Sequence, residues 1–189
     1  MEYTPPMIDR AHAWKVLDAA ELLHSEVAIT QAVGRVAAEI GDRLRDAEPL
    51  VLAVMGGGVV FAGQLLPWLR FPLEFDFIHV TRYRGGTTGR EISWPVAPHV
   101  PLKDRTVLVL DDILDEGRTL AAIRDRFLSE GVRAFYSAVL CEKLLEQEKP
   151  VRADFVGVTV PDRYVFGCGM DVEGAWRNLP GIYAVGSTP

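Results

Sequence analysis

Val107-Leu-Val-Leu-Asp-Asp-Ile-Leu-Asp-Glu-Gly-Arg-Thr-Leu120 is the stretch on which the reading of this chain turns. Four apolar residues in a row suit a strand covered on both faces, and such strands belong to parallel sheets. The strand delivers two adjacent carboxylates, Asp111 and Asp112, and a third, Asp115, opens a glycine-containing turn into a helix. Backbone N–H groups at such a turn form a receptor for phosphate, and the Thr119 hydroxyl adds a donor. Taken one at a time, Asp111-Asp112 could be a solvated strand end and Asp115 a helix cap. The whole string argues otherwise: two buried neighbouring anions each carry a penalty of roughly several kcal/mol unless they are partnered, so they call for hydroxyl groups or a metal.

Working outward, Ser25 to Arg45 places Val27, Ala28, Val33, Val36, Ala37, Ile40 and Leu44 at helical spacing, and Asp46-Ala-Glu-Pro49 stops the pattern. Leu50-Val-Leu-Ala-Val54 reads as a second buried strand, running into Gly56-Gly-Gly58 and a helix from Val59 to Leu69. Phe75 to Val80 is a further strand. The segment from Tyr83 to Ser93 has neither helical nor strand period and reads as a mobile loop or the tip of a long hairpin. After the strand Thr106 to Leu110, a helix from about Leu120 ends at Glu130-Gly131, and Ala134 to Leu140 is the next strand. Strand, helix, strand at this spacing predicts a right-handed crossover. A charged connector, Glu142 to Arg152, leads to a strand from Ala153 to Val158, and Pro161 to Pro189, rich in Gly and Pro, reads as irregular structure over one end of the sheet. The fold class is α/β: a mainly parallel twisted sheet flanked by helices, with a small C-terminal hood. We read one domain over residues 1–189, with a core of about 25–158 and a hood of about 159–189 that takes in the N-terminal segment if that segment is ordered.

The 189 residues are 49% hydrophobic, enough for one sizeable core, and the formal charge of −6 is spread without blocks. That balance offers no general attraction to nucleic acid or to an anionic membrane, so an anionic ligand has to be held by local groups. No apolar run approaches the roughly 20 residues that cross a bilayer, and no leader pattern follows Met1; the expectation is a cytoplasmic protein. Cys141 and Cys168 lie in no CxxC pattern and read as free thiols.

The Val107–Leu120 string resembles the 5-phosphoribosyl-1-pyrophosphate (PRPP) signature of the type I phosphoribosyltransferases. The resemblance extends in order to Arg152-Ala-Asp-Phe-Val-Gly-Val, Val160-Pro-Asp-Arg-Tyr-Val-Phe-Gly-Cys-Gly-Met-Asp171 and Trp176-Arg-Asn-Leu-Pro180, which is similar to the base-binding end of hypoxanthine-guanine phosphoribosyltransferases. It implies purine salvage: transfer of the phosphoribosyl group from PRPP to hypoxanthine or guanine, with pyrophosphate released. The roles it implies are ribose contacts for Asp111 and Asp112, and a 5-phosphate turn made of Asp115, Glu116, Gly117, Arg118 and Thr119, with Asp115 as the base for the purine N7 proton. Glu116 stands where the family has a small residue, and we expect it to offer only its N–H while its carboxylate stays in solvent. Met55 and Gly56 occupy the pyrophosphate loop, with a cis peptide expected at Val54–Met55, and Arg177 clamps the leaving pyrophosphate. Tyr164 stacks on the purine, Val165 reads its edge through backbone groups, and Arg152 donates to the 6-oxygen in place of a family lysine. Arg82 and Tyr83 begin a lid that keeps water from the reacting carbon. Asp171 binds Mg²⁺, with Asp111 and Asp112 as further ligand candidates; Mg²⁺ is the implied cofactor, and a homodimer or homotetramer the implied assembly.

Two other readings stay open at this level. One is a phosphoribosyltransferase for another base, such as xanthine, adenine or a pyrimidine. The other is a regulator that senses PRPP and binds nucleic acid, although fewer than 25 residues precede the first predicted helix and no basic face is evident.

Overall fold

The computed structural model describes residues 9–82 and 92–186. Its centre is a six-stranded sheet in the order β4-β3-β2-β5-β6-β7. Those strands are β2 (Leu50–Met55), β3 (Glu74–Arg82), β4 (Ile92–Val96), β5 (Thr106–Leu114), β6 (Ala134–Lys143) and β7 (Phe155–Val160). All neighbours are parallel except β3 and β4. Both faces are covered, which is why the strands read as unbroken apolar runs rather than alternating ones. Val51, Ala53, Leu108 and Leu110 pack under α2 (Glu26–Leu44) and α3 (Gly58–Leu65), whereas Leu50, Leu52, Val107 and Val109 face Ile123 and Phe127 of α4 (Arg118–Ser129). Ser25, the first residue of the predicted helix, caps α2 by accepting from the Ala28 N–H.

Several bounds differ from expectation for local reasons. α3 stops at Leu65 and continues only as a 3₁₀ turn over Leu66–Trp68, since Pro67 cannot supply an α-helical N–H. β5 does not end at Leu110: it stays paired with β6 through Leu114↔Glu142, so Asp111 and Asp112 are strand residues. Ile92 and Ser93, placed in the loop by the sequence reading, belong to the edge strand β4, which tolerates Pro95 because one side of it needs no ladder bond. The proposed lid tip over residues 83–91 lies outside the described residues.

The C-terminal part is less irregular than its composition suggests. β1 (Glu21–His24), β9 (Ile182–Ala184) and β8 (Val165–Phe166) form a second, antiparallel sheet, so the N-terminal segment is built into the hood. Arg163 ties the two ends together through Glu21 and the Val185 carbonyl. The helix α1 (Arg10–Asp18), capped by Asp9, leans on the hood through an edge-on contact of Trp14 with Trp176 at 4.8 Å. No helix among the described residues is long and apolar enough to cross a membrane.

Asp76 on β3 fastens the segment after β4. Its carboxylate accepts from the His99 N–H at 2.7 Å and the Phe77 N–H at 2.8 Å, with His99 Nδ1 at 3.0 Å. Burial works to raise its pKa, but these hydrogen bonds outweigh burial and hold it below the ordinary carboxylate value. A depressed folded-state pKa adds stability that is present above the unfolded value and lost as pH falls through the folded one. Asp76→Asn should therefore cost about 1–3 kcal/mol at neutral pH. The gap in melting temperature from the parent should close below about pH 4. A gap that persists unchanged into acid would show that the loss is steric.

Candidate active site

Strand order alone points to one place. From β2 the chain goes outward to β3, and from β5 it goes the other way to β6, so β2 and β5 are adjacent strands whose connections diverge. Ligands of open α/β sheets bind beyond the carboxyl ends of strands at such a switch point. At the end of β2 stand Met55 and Gly56, joined by a cis peptide. The cis bond lies one position later than expected, because Met55 is still in register with His79 of β3 and the extended ladder leaves the Val54–Met55 peptide no room to turn. At the end of β5 stand Asp111 and Asp112. The strands meet so closely that a Cβ on Gly57 would lie 1.6 Å from Asp112 Oδ2, and one on Gly58 would lie 2.9 Å from the Leu110 carbonyl oxygen. Beside Gly56 there is open space.

Two adjoining cavities open here. One, of about 270 Å³, is lined by Met55, Gly57, Asp111, Asp112, Asp115, Gly117 and Thr119 among others. It contains the turn into α4, whose N-cap residue Gly117 has φ 78° and supplies no side-chain cap, so the first-turn N–H groups of the helix face this end of the sheet. Thr119 lines the cavity with them, whereas Arg118 points outward and pairs with Glu116 at 3.4 Å. The Glu116 carboxylate is thus about one-third exposed and neutralised by its neighbour, not left in solvent as expected.

The second cavity, of about 220 Å³, is lined by Asp112, Ile113, Asp115, Lys143, Tyr164, Val165, Met170, Asp171 and Arg177. Tyr164 presents an exposed ring, held by donation of its hydroxyl to the Asp171 carbonyl at 3.1 Å. Val165 lies buried in β8 beside it. Arg177 donates to the Gly169 carbonyl at 2.7 Å and pairs with Asp171 Oδ1 at 2.5 Å, so the two residues assigned to pyrophosphate and metal are held as a pair. Arg82 ends β3, and Tyr83 is outside the described residues.

Arg152, expected from the sequence to meet the purine 6-oxygen, stands apart from Tyr164 in this structure. Arg152 does not reach the Tyr164 cavity; it is exposed and lines a separate hollow formed by residues 142–152. The cations that do line the Tyr164 cavity are Arg177 and, at the last residue of β6, Lys143. Lys143 Nζ lies 3.1 Å from Asp115 Oδ1, and the lysine side chain is only 12% exposed. Sequence proximity to Asp154-Phe-Val-Gly favoured Arg152, but in a parallel sheet the end of β6 sits beside the end of β5. The signal that could have found Lys143 was a lone cation following the buried run Ala138–Cys141 on the strand next to the acidic pair.

The electrostatics constrain what this site can hold. Four carboxylates, Asp111, Asp112, Asp115 and Asp171, line the two cavities against two cations, Lys143 and Arg177. Burial pushes the Asp111 carboxyl well up, and the adjacent Asp112 charge adds to it; burial also raises Asp112, opposed by its hydrogen bonds and by Arg177. Each keeps one oxygen engaged by the next backbone N–H, at 3.0 and 2.8 Å. Among the described residues no group of three or more His, Cys, Asp or Glu forms a closed metal cage. The donor set instead suits a hard divalent cation held by one or two carboxylates together with water and ligand oxygens, the habit of Mg²⁺.

A glycine-started helix turn, a pair of adjacent buried carboxylates and an exposed aromatic ring that shares its cavity with two cations have the chemistry to receive a phosphorylated sugar next to a flat polar ring. The known proteins that this chain is similar to are phosphoribosyltransferases. A hypoxanthine-guanine phosphoribosyltransferase of Bacillus subtilis strain 168 is 31% identical over 166 residues, covering 87% of this chain and 92% of that protein. One from Streptococcus pneumoniae strain R6 is 30% identical over 168 residues. Among solved structures, a hypoxanthine-guanine-xanthine phosphoribosyltransferase superposes with a TM-score of 0.81 at 27% identity over 90% of this chain and 99% of that one. A hypoxanthine phosphoribosyltransferase from Staphylococcus aureus gives 0.83 at 26% identity, over 95% of this chain and 96% of the other. Since the model of the phosphoribosyl transferase domain matches residues 19–173, from the hood strand β1 to just past Asp171, the chain belongs to the phosphoribosyltransferase family.

Proposed function

We propose that the chain is a hypoxanthine-guanine phosphoribosyltransferase of purine salvage, moving the 5-phosphoribosyl group of PRPP to N9 of a 6-oxopurine and releasing pyrophosphate. The observation that carries the reading is the Asp115–Lys143 pair on the Tyr164 cavity: one group able to take a proton and one able only to donate, lining the same hollow as the exposed ring. A 6-oxopurine presents an acceptor oxygen next to its N7 proton. Lys143 Nζ donates to the oxygen and Asp115 accepts the proton, while Tyr164 covers the ring face. In the neighbouring cavity Asp111 and Asp112 accept from the ribose hydroxyls, and the turn from Asp115 to Thr119 binds the 5-phosphate. Met55 and Gly56 at the open end of β2 leave room for pyrophosphate, with Arg177 next to it. Two groups of opposite role at the base account for direction: the purine gains its glycosidic bond at one nitrogen as Asp115 relieves the other of its proton.

Four carboxylates against two cations leave the lining short of positive charge for pyrophosphate; Asp171, with Asp111 and Asp112 as further ligands, would hold Mg²⁺, which would neutralise charge on the leaving group. The proposal includes a cytoplasmic homodimer or homotetramer. Relatives named for hypoxanthine and guanine support the base class, and the net charge of −6 gives no support to a nucleic-acid-binding role.

The test compares two cations. Lys143→Met should lower kcat/KM for hypoxanthine and guanine about 10- to 150-fold, the worth of one charge-assisted hydrogen bond, with little change in KM for PRPP. Its discrimination against adenine, which presents a donor at that position, should narrow. Arg152→Ala should behave as the parent. The opposite pattern, with Arg152 sensitive and Lys143 silent, would return base recognition to Arg152.

A further inference from the structure

We infer that Lys149 is a positioning residue that sets the spacing of Asp115 and Lys143 without touching substrate. The inference rests on the reading of those two as the base-handling pair. The ladder between β5 and β6 ends at Leu114↔Glu142, one residue short of each member of the pair. Beyond that point Lys143 is still held from the β7 side, by its pairing with Val160 and by the Leu144 N–H bonding to the Val160 carbonyl at 2.8 Å. On the β5 side the closure comes from Lys149. Its ammonium donates to the Leu114 carbonyl at 3.0 Å, to the Lys143 carbonyl at 2.6 Å and to Glu142 Oε1 at 3.1 Å. An ammonium has three donors and no acceptor, so this one is fully used as a bracket across the ends of two strands. Its side chain is 9% exposed and lines neither ligand cavity.

The same segment supports the phosphate turn. A Cβ on Gly117 would lie 3.4 Å from Lys149 Cβ and from Val151 Cγ1, so the connector packs directly behind the positive-φ residue that starts α4. Stability alone is a poor reason for a lysine here, since a buried ion pair is often matched by apolar side chains of similar volume. What an apolar residue cannot do is hold two carbonyls and a carboxylate to one point, and those carbonyls belong to Lys143 itself and to the residue before Asp115.

Lys149→Met should lower kcat/KM for hypoxanthine roughly 10- to 100-fold, the scale of a small misplacement of reacting groups. Loss of the bracket leaves Glu142 unpaired and lowers the melting temperature, so Glu142→Gln/Lys149→Met is made alongside it. That double variant should recover much of the melting temperature and little of kcat/KM. In a Lys143→Met background the further effect of Lys149→Met should fall below about threefold, because the pair it aligns no longer exists. Fully additive losses, or kinetics that recover together with the melting temperature, would overturn the inference and leave Lys149 a structural residue. A Lys143→Met enzyme with parent kinetics would sink the base-handling reading and this inference with it.

Discussion

Asp115→Asn is expected to lower kcat by about 10²- to 10⁴-fold, the usual contribution of a placed acid or base, and to leave KM for PRPP near the parent value. The substitution is chosen for what it preserves. Asparagine keeps an oxygen for Lys143 Nζ, now 3.1 Å from Asp115 Oδ1, so the approach of β5 to β6 and the position of the lysine are retained. The backbone of the turn into α4, proposed to bind phosphate through its N–H groups, is also unchanged. Only the capacity to take a proton is lost. If Asp115 did no more than anchor Lys143, the variant would turn over at close to the parent rate. Measuring kcat and both KM values in the forward direction separates the outcomes, because a loss confined to KM for the base would mean binding rather than proton transfer.

Much of the site was legible because its chemistry is contiguous in sequence. Asp111, Asp112, Asp115, Gly117 and Thr119 come from one strand and the turn after it, and the apolar run before them fixed the strand as buried. What the sequence hid depends on pairing across strands. Lys143 and Asp115 are 28 positions apart and meet only because β5 and β6 run parallel in register. No local pattern distinguishes Lys143 from the solvated charges that follow it in Glu142 to Arg152. The hood was obscured for a different reason: β8 and β9 are two and three residues long, too short to show alternation, and they exist because β1 pairs with β9. α1 has no buried residue and therefore no apolar stripe to read; it is held by Asp9 at its start and by Trp176, whose Nε1 donates to the Ala13 carbonyl at 2.9 Å. At β5 the low strand propensity of aspartate suggested an end at Leu110, but the ladder to β6 outweighed propensity for four more residues.

Asp111→Asn/Asp112→Asn should make the protein more stable and nearly inactive. Burial and mutual repulsion raise the folded-state pKa of Asp111, and burial raises that of Asp112. With a raised folded pKa the native state binds more protons than the unfolded chain across that interval, so stability falls as pH rises from the unfolded carboxylate value, near 3.9, through the folded one. The penalty is therefore relieved in acid and present above the folded pKa values. Asparagine removes the charge but keeps an acceptor for the Asp112 and Ile113 N–H groups that now bond these side chains. The variant should melt higher at neutral pH, by about 2–4 °C for each kcal/mol relieved, and its advantage should shrink toward about pH 4. Asp76 titrates in the opposite sense but is common to both proteins, so it cancels in the difference. Function goes the other way. In the proposed role, each carboxylate accepting from a ribose hydroxyl would be worth about 1.5–3 kcal/mol, so kcat/KM for PRPP should drop by roughly 10²- to 10⁴-fold. The rise in melting temperature that Mg²⁺ and PRPP together give the parent should be largely absent, since a ligand stabilises only in proportion to its affinity for the native state. A double variant that melts lower than the parent at neutral pH, or that still gains the full ligand-induced rise, would show that the pair is already partnered within the protein and is not held in reserve for the ribose.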